Sequence, residues 1–502
     1  MDDLSKSGSH YNLRQYYLNT SHWWLAEKEK STLELFQRVS KQVPAYKDFL
    51  RRHNIDPAKI KNYQDLQFVP VVTKENYLRY YPLNKLCWGG SQNKQLMYCS
   101  TSGSTGAPYY FPRNYRLDWQ NSYVLEDFIN QWARQDSILA VICFGMGVWI
   151  GGVLNYSAFQ ILQRRDDRPI SLIAPGINKK EIIQTLISLA PRYSNVLLLG
   201  YPPFIKDLFD TCYHDGINLE ELNFKLIFAA ECITESFRDY ICAQVGITNP
   251  LRDVINIYGS ADIGGMAVEG PAGIAIRKLT AENNKLRAEF FTTNKSATVA
   301  QYNPHFINFD CENGTLLVSG DSVLPLVRYS IGDRGGTFSR HQTDDIFGSY
   351  QLNLQTYAHD NGVPNISNLP FVYVYERVDF SVKFYGAIIY PDYVRPAVQA
   401  EWFVDSLTGR FCIEVGENSQ RDQLLIVHVE LKVKITANLY LETEIGAEVK
   451  GALIQRSSEF ANNASILGDK VNPIIRLWPY GHEKYFKLGI KQQWVKKKSA
   501  VT

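Results

Sequence analysis

From Ile138 onward, short apolar runs alternate with stretches whose apolar positions recur every three to four residues, and this alternation restricts the fold more than any other feature. The runs Ile138 to Phe144, Ile170 to Ile173, Val196 to Leu199, Leu226 to Ala229 and Val254 to Ile257 have strand length and predict strands. Between them, Lys179 to Leu189 and a stretch around Glu235 to Val245 predict amphipathic helices. Parallel neighbours in a sheet need a long crossover, usually a helix, so the order predicts an α/β fold built on mainly parallel β-α-β units.

The rest of the chain attaches other units to that frame. Residues 30 to 60 carry Leu33, Leu35, Phe36, Val39, Val43, Tyr46, Phe49 and Leu50 at helical spacing. Around 290 to 375 short strands and turns predict a β-rich subdomain, with turn signals at Asn313-Gly314, Gly335-Gly336 and Asp360-Asn361-Gly362. Beyond Asp379, strand candidates at Phe411 to Val415, Leu424 to Lys432 and Pro473 to Trp478 flank a helix expected from about 440 to 461. The expected division is therefore a large N-terminal domain, 1–378, and a small α+β C-terminal domain, 379–502, which together accord with a length of 502 residues.

Lys plus Arg number 53 against 51 Asp plus Glu, so no large field of one sign steers a polyanion, and nucleic-acid binding is not expected. The eight cysteines form no C-x-x-C pair, which suits cytosolic thiols better than a disulfide framework or zinc cluster. The first 30 residues hold no apolar core with a small-residue cleavage site, so a cytoplasmic location is expected. Ser137 to Gln163 carries no charge, yet Gly145, Gly147, Gly151, Gly152, Asn155, Ser157 and Gln160 break it. It reads as a buried strand followed by a Gly-rich loop rather than a membrane span.

Ser100 to Pro108 reads STSGSTGAP. Hydroxyls at Thr101, Ser102, Ser104 and Thr105, interleaved with Gly103 and Gly106, suit a loop whose amides and hydroxyls converge on a phosphate. The alternative is a flexible Ser/Gly linker, and composition does not separate the two. Tyr258-Gly259-Ser260-Ala261-Asp262 follows an expected buried strand and presents an aromatic face and a carboxylate where such strands end. Arg328-Tyr329-Ser330-Ile331-Gly332-Asp333 offers a second carboxylate, and Arg377-Val378-Asp379 stands at the expected boundary. The nine histidines are scattered, and no Ser-His-Asp, Cys-His or H-E-x-x-H arrangement is present.

In this order these segments resemble the adenylate-forming superfamily of acyl-CoA synthetases, adenylation domains and luciferases, and within it the phenylacetate-CoA ligase branch. The resemblance covers most of the chain. The stretch VPAYKDFLRRHNIDPAKIKNYQDLQFVPVVTKENY, with Pro70, Thr73 and Lys74, is similar to that branch's N-terminal region. Phe144 to Gly152 resembles its Gly-rich loop beside the acyl pocket, and Gly200-Tyr201-Pro202-Pro203 its later Pro-containing loop.

The resemblance implies that Thr101, Ser102, Gly103, Ser104, Thr105 and Gly106 hold the phosphates of ATP. It implies that Glu231 ends the strand contacting adenine, that Tyr258 with Gly259 and Ser260 lies on the base, that Asp333 binds ribose, and that Arg377 reaches ribose or phosphate. Asp262 would be the Mg2+-side carboxylate, where the family usually has Glu. Phe144, Gly147, Trp149, Gly151, Tyr201 and Pro202 would line the acid pocket. Asp379 would be the hinge of a mobile C-terminal domain, and Tyr385 to Pro391 the loop inserted for the second half-reaction. Lys491 would be the catalytic lysine, with Lys487 as rival because Gly489-Ile490-Lys491 carries one residue more than the family's spacing.

The implied activity is reaction of a small carboxylic acid with ATP to an acyl-adenylate, then transfer to a thiol, with coenzyme A as expected co-substrate. Two alternatives stand beside it: transfer to an amine or to a carrier-protein thiol, and a non-catalytic relative serving as a scaffold, which the Asp262 substitution would permit.

Overall fold

The computed structural model describes residues 11–92, 96–100, 109–292, 297–375, 381–486 and 495–496. Ile138–Cys143 and Asn195–Gly200 are buried at every position, as expected of central strands covered on both faces. They lie in a sheet whose order, among the described residues, is Ile307–Glu312, Thr315–Gly320, Leu326–Phe338, Phe371–Val374, Thr298–Gln301, Gly264–Glu269, Val254–Ser260, Phe224–Ala229, Asn195–Gly200, Ile138–Cys143 and Ile170–Ile173.

Neighbours from Val254–Ser260 to Ile170–Ile173 pair in parallel, and every pairing on the other side is antiparallel. The α/β class and the expected strands are therefore present. The β-rich stretch continues the same sheet through Phe371–Val374 and Thr298–Gln301.

Several boundaries fall where a local residue decides them. The helical region of 30 to 60 is two helices, Ser21–Gln42 and Pro44–Arg52, because Pro44 has no amide to continue the first and sits at the start of the second. The helix expected from 440 to 461 is likewise two, Leu439–Arg456 and Ser458–Leu467. They are separated at Ser457, whose hydroxyl accepts from the Phe460 amide at 3.2 Å. Gly151 and Gly152 belong not to a loop but to the helix Ile150–Arg165. A Cβ on Gly152 would lie 2.3 Å from the Gly145 carbonyl oxygen, so only glycine lets this helix start so close to the preceding turn. Among the described residues no helix is long and apolar enough to cross a membrane.

After residue 381 the hairpin Val382–Phe384/Ala387–Ile389 leads into a second sheet, ordered Ile474–Trp478, Gln423–Leu431, Leu407–Glu417 and Val495–Lys496. Val449 and Leu453 of the helix Leu439–Arg456 and Phe460 of the helix that follows belong to the core that this α+β arrangement shares with Ile413, Val427 and Val429.

A buried ionic cluster ties the helices to the main sheet. Glu269, wholly buried, accepts from Arg238 Nη2 at 2.6 Å, Arg277 Nη1 at 2.7 Å and the Val299 amide at 3.1 Å. Glu235 pairs with the same two arginines at 3.2 and 3.1 Å. Removing one member leaves a desolvated charge, which costs about 3–5 kcal/mol. Glu269→Ala should therefore lower the free energy of unfolding by that amount, seen as a lower urea midpoint with little change in the denaturant slope, measured by equilibrium fluorescence or circular dichroism.

Candidate active site

Because the parallel strands carry apolar side chains along their length, polar chemistry collects where they end. Phe144, Tyr201, Ala229 to Glu231 and Tyr258 to Asp262 follow or close four neighbouring strands and line one cleft of about 400 Å³. The pairing of Val254–Ser260 with Gly264–Glu269 shifts register between Tyr258 and Gly259. A Cβ on Gly259 would come 2.6 Å from the Gly264 carbonyl oxygen, so glycine permits this irregularity, which turns the segment after Tyr258 over the cleft.

The Tyr258 hydroxyl donates to Asp333 Oδ2 at 2.5 Å, joining the end of one strand to the middle of Leu326–Phe338. Asp262 Oδ2 accepts from the Tyr329 hydroxyl at 2.5 Å and lies 3.2 Å from Lys74 Nζ. Lys74 arrives there through the parallel bridge Val72–Tyr329, in which the Val72 amide donates to the Arg328 carbonyl and its carbonyl accepts from the Ser330 amide. Thr73 then caps the short helical turn that Lys74 begins, accepting from the Asn76 amide at 3.1 Å. Asp262 and Asp333 are both buried. Asn256 Oδ1 and Ser260 Oγ, in the same wall, are buried without a hydrogen-bond partner among the described residues.

The opposite wall is aromatic and apolar. Phe144 and Tyr201 meet edge to face at 5.0 Å between ring centroids, and burial raises the Tyr201 phenol well above its usual pKa, so it is neutral at physiological pH. Trp149, Gly151 and Leu154 continue this wall. At its end Asn121 Nδ2 donates to Asn155 Oδ1 at 3.1 Å, and Asn155 Nδ2 donates to the Gly151 carbonyl at 2.7 Å.

The C-terminal elements close the cleft. Ala230 has φ +73°, an uncommon conformation for alanine that directs its carbonyl to Lys383 Nζ. The Glu231 carboxylate accepts from the Gly386 amide with one oxygen and from Gln423 Nε2 at 2.8 Å with the other. Gly386, at φ +81°, turns the hairpin tightly against the Tyr201 ring. Lys206 with Asp422 at 3.0 Å, and Lys470 with Asp207, add ion pairs across the same boundary.

The expected site residues are thus partly gathered. Tyr258, Gly259, Ser260, Asp262, Asp333, Glu231, Phe144, Trp149, Gly151 and Tyr201 line one cleft. Gly147 and Pro202 do not: Gly147 is in an exposed turn, and Pro202 opens the helix Pro202–His214. Glu231 is bonded to the C-terminal hairpin. The expected Thr101, Ser102, Gly103, Ser104, Thr105, Gly106, Arg377, Asp379, Lys487 and Lys491 lie outside the described residues. Ser100 and Tyr109, Tyr375 and Ser381, and Val495, which adjoin those stretches, do line the cleft. Lys383, Gln423, Asn121, Asn155 and Glu459 also belong to it and were not expected: Gln423, Asn121 and Glu459 are distant in sequence from the motifs, and Lys383 and Asn155, though beside them, have no local signature.

The sequence matches no family model and no curated protein. Solved structures do match. A 2-hydroxyisobutyryl-CoA ligase in complex with 2-HIB-AMP and CoA, in its thioesterification state, aligns with a TM-score of 0.60 at 15% identity over 96% of this chain and 91% of that one. The same ligase in a postadenylation state aligns with a TM-score of 0.53 at 15% identity, covering 97% and 91%. An open conformation aligns with 0.53 at 14%, covering 97% and 94%. The chain therefore has the fold of these AMP-forming acyl-CoA ligases along nearly its whole length.

A charge-assisted hydrogen bond contributes about 1.5–3 kcal/mol. In Glu231→Ala the amides of Tyr385 and Gly386 should therefore exchange with deuterium about 10- to 100-fold faster than in the parent, because local opening of the hairpin loses that bond. Hydrogen exchange read by mass spectrometry over 382–389 checks this.

Proposed function

We propose that this chain is an ATP-dependent, AMP-forming carboxylate ligase that activates a small carboxylic acid as its acyl-adenylate and transfers the acyl group to a thiol, with coenzyme A as the acceptor and the phenylacetate-CoA ligases as its functional kin. The observation that carries this reading is the convergence, in one cleft of this fold, of Tyr258 with two buried carboxylates on one side and an aromatic wall on the other. A free carboxylate is a poor acyl donor because its leaving group would be oxide. Adenylation replaces oxide by AMP, in a step governed by positioning and by neutralising phosphate charge.

In this reading Tyr258, Gly259 and Ser260 lie along the adenine, Asp333 accepts from the ribose hydroxyls, and the orphaned Asn256 Oδ1 and Ser260 Oγ find partners on the nucleotide. Thr101 to Gly106 attend the phosphates, and Arg377 reaches ribose or phosphate. Asp262, with the Tyr329 hydroxyl beside it, is a hard-oxygen site that suits Mg2+, which takes its remaining ligands from phosphate and water and would supply charge neutralisation there. Lys74 adds a positive charge at the same carboxylate. Phe144, Trp149 and Tyr201 receive the acid, and the eight free cysteines suit a cytosolic setting.

Residues 379–502 would act as a mobile unit turning about Asp379 against residues 1–378. The bonds of Gly386, Lys383 and Gln423 to the large unit, and the higher TM-score against the thioesterification complex, support reading this arrangement as the acyl-transfer orientation. Lys491 would then serve the other orientation, where the adenylate forms.

A panel of carboxylic acids should give ATP- and Mg2+-dependent pyrophosphate release for a subset of them, and release with none would leave the scaffold reading in its place. Asp333→Ala should weaken ATP binding by about 1–3 kcal/mol, roughly 5- to 150-fold in Kd by calorimetry, since ribose hydroxyls lose their acceptor in a desolvated site. Lys491→Ala should lose pyrophosphate release by about 100-fold or more yet still convert supplied acyl-adenylate. The opposite result, with Lys487→Ala defective, moves the catalytic role to Lys487.

A further inference from the structure

We propose that Glu459, on the C-terminal unit, takes the proton from the acceptor nucleophile during acyl transfer; this rests on the ligase reading above. Glu459 is the second residue of the helix Ser458–Leu467 and lines the cleft with Lys383, Gly386 and Ile388 of the hairpin. Its Oε2 accepts from the Ile388 amide at 3.2 Å, which fixes the carboxyl to the element that meets Tyr201 and Glu231. Its Oε1 takes no hydrogen bond from the described residues.

The other acids of the cleft are engaged. Asp262 is held by Tyr329 and Lys74, Asp333 by Tyr258, and Glu231 by Gly386 and Gln423. No histidine is among the described residues lining the cleft. Burial raises the Tyr201 phenol, so it is not ionised at neutral pH.

Among the described residues of the cleft, Glu459 combines an open oxygen with basicity suited to the task. Burial pushes its carboxyl up to about 7, with the Ile388 amide and the Lys383 ammonium acting in the opposite direction. The charged and titratable groups facing it are Lys383 from the hairpin, Tyr201 from the large unit and Tyr393 from the helix Pro391–Val398. A group titrating near neutrality is in its basic form often enough to accept a proton and strong enough as a base to hold it.

The step balances without another reagent. A lone pair of the acceptor's sulfur or nitrogen forms the bond to the acyl carbon, and the acyl carbon–oxygen bond to phosphate breaks with its electron pair leaving on AMP. The acceptor proton passes to the ionised Glu459 carboxylate and then to solvent. Because the site is on the C-terminal unit, it is available only when the hairpin is seated.

The test uses the full-length chain, the acyl-adenylate of the acid that gives most pyrophosphate release, and CoA or hydroxylamine as acceptor. Glu459→Gln keeps an oxygen for the Ile388 amide but is not a base. Transfer in this variant should fall about 100-fold relative to pyrophosphate release. The parent's transfer rate should rise with pH through about 7, as the raised pKa leaves Glu459 protonated below it, and this rise should be lost in the variant. A defect with CoA alone assigns the proton to a thiol, and one with both acceptors assigns it to either nucleophile. Parental transfer with an unchanged pH profile in Glu459→Gln overturns the proposal, as does an equal loss of both half-reactions, which marks a structural role. A parent without pyrophosphate release fails the ligase reading itself.

Discussion

The constraint on which the rest depends is that the parallel strands are buried on both faces. Ile138–Cys143 and Asn195–Gly200 expose nothing along their length, so they can hold no solvated charge and no reacting group. Each crossover helix returns the chain to begin the next strand on the same edge, which aligns the strand ends. The residues just past those ends, Phe144, Tyr201, Glu231 and Tyr258, come from four separate sequence regions and meet in one cleft for that reason.

A second constraint acts across the units. The cleft is lined by residues from both sides, which share one apolar core containing Leu198, Phe228, Val382 and Phe384 and are tied by the bonds of Glu231 with Gly386 and Gln423 and the ion pairs of Lys206 with Asp422 and Lys470 with Asp207. Lys206 and Asp207 are wholly buried, so each needs its partner to offset desolvation.

Asp262 illustrates how long-range packing encloses a carboxylate. In this cleft Tyr329 and Lys74 close around it. The carboxylate is buried and hydrogen-bonded. Lys74 reaches it only because the segment around Val72 pairs with Leu326–Phe338, a long-range contact with no mark in the sequence beyond Thr73 as a cap.

The sequence by itself determined the parallel strands and the helices Lys179–Ser188 and Glu235–Gln244, since period and β-branched content depend on neighbours only a few residues away, but it read the start of the helix Ile150–Arg165 as a loop. It also made Tyr258, Asp262 and Asp333 legible, because each stands at or beside a strand where polar residues interrupt an apolar run. It missed the break at Pro44 and the one at Ser457, where a single residue outweighs a continuing pattern. Only the tertiary structure decided that the β-rich stretch extends the main sheet, that Glu231 meets the C-terminal hairpin, and that Glu459 enters the cleft. Those outcomes depend on which surfaces pack across hundreds of residues, and burial, which sets the basicity of Glu459, exists only after that packing is complete.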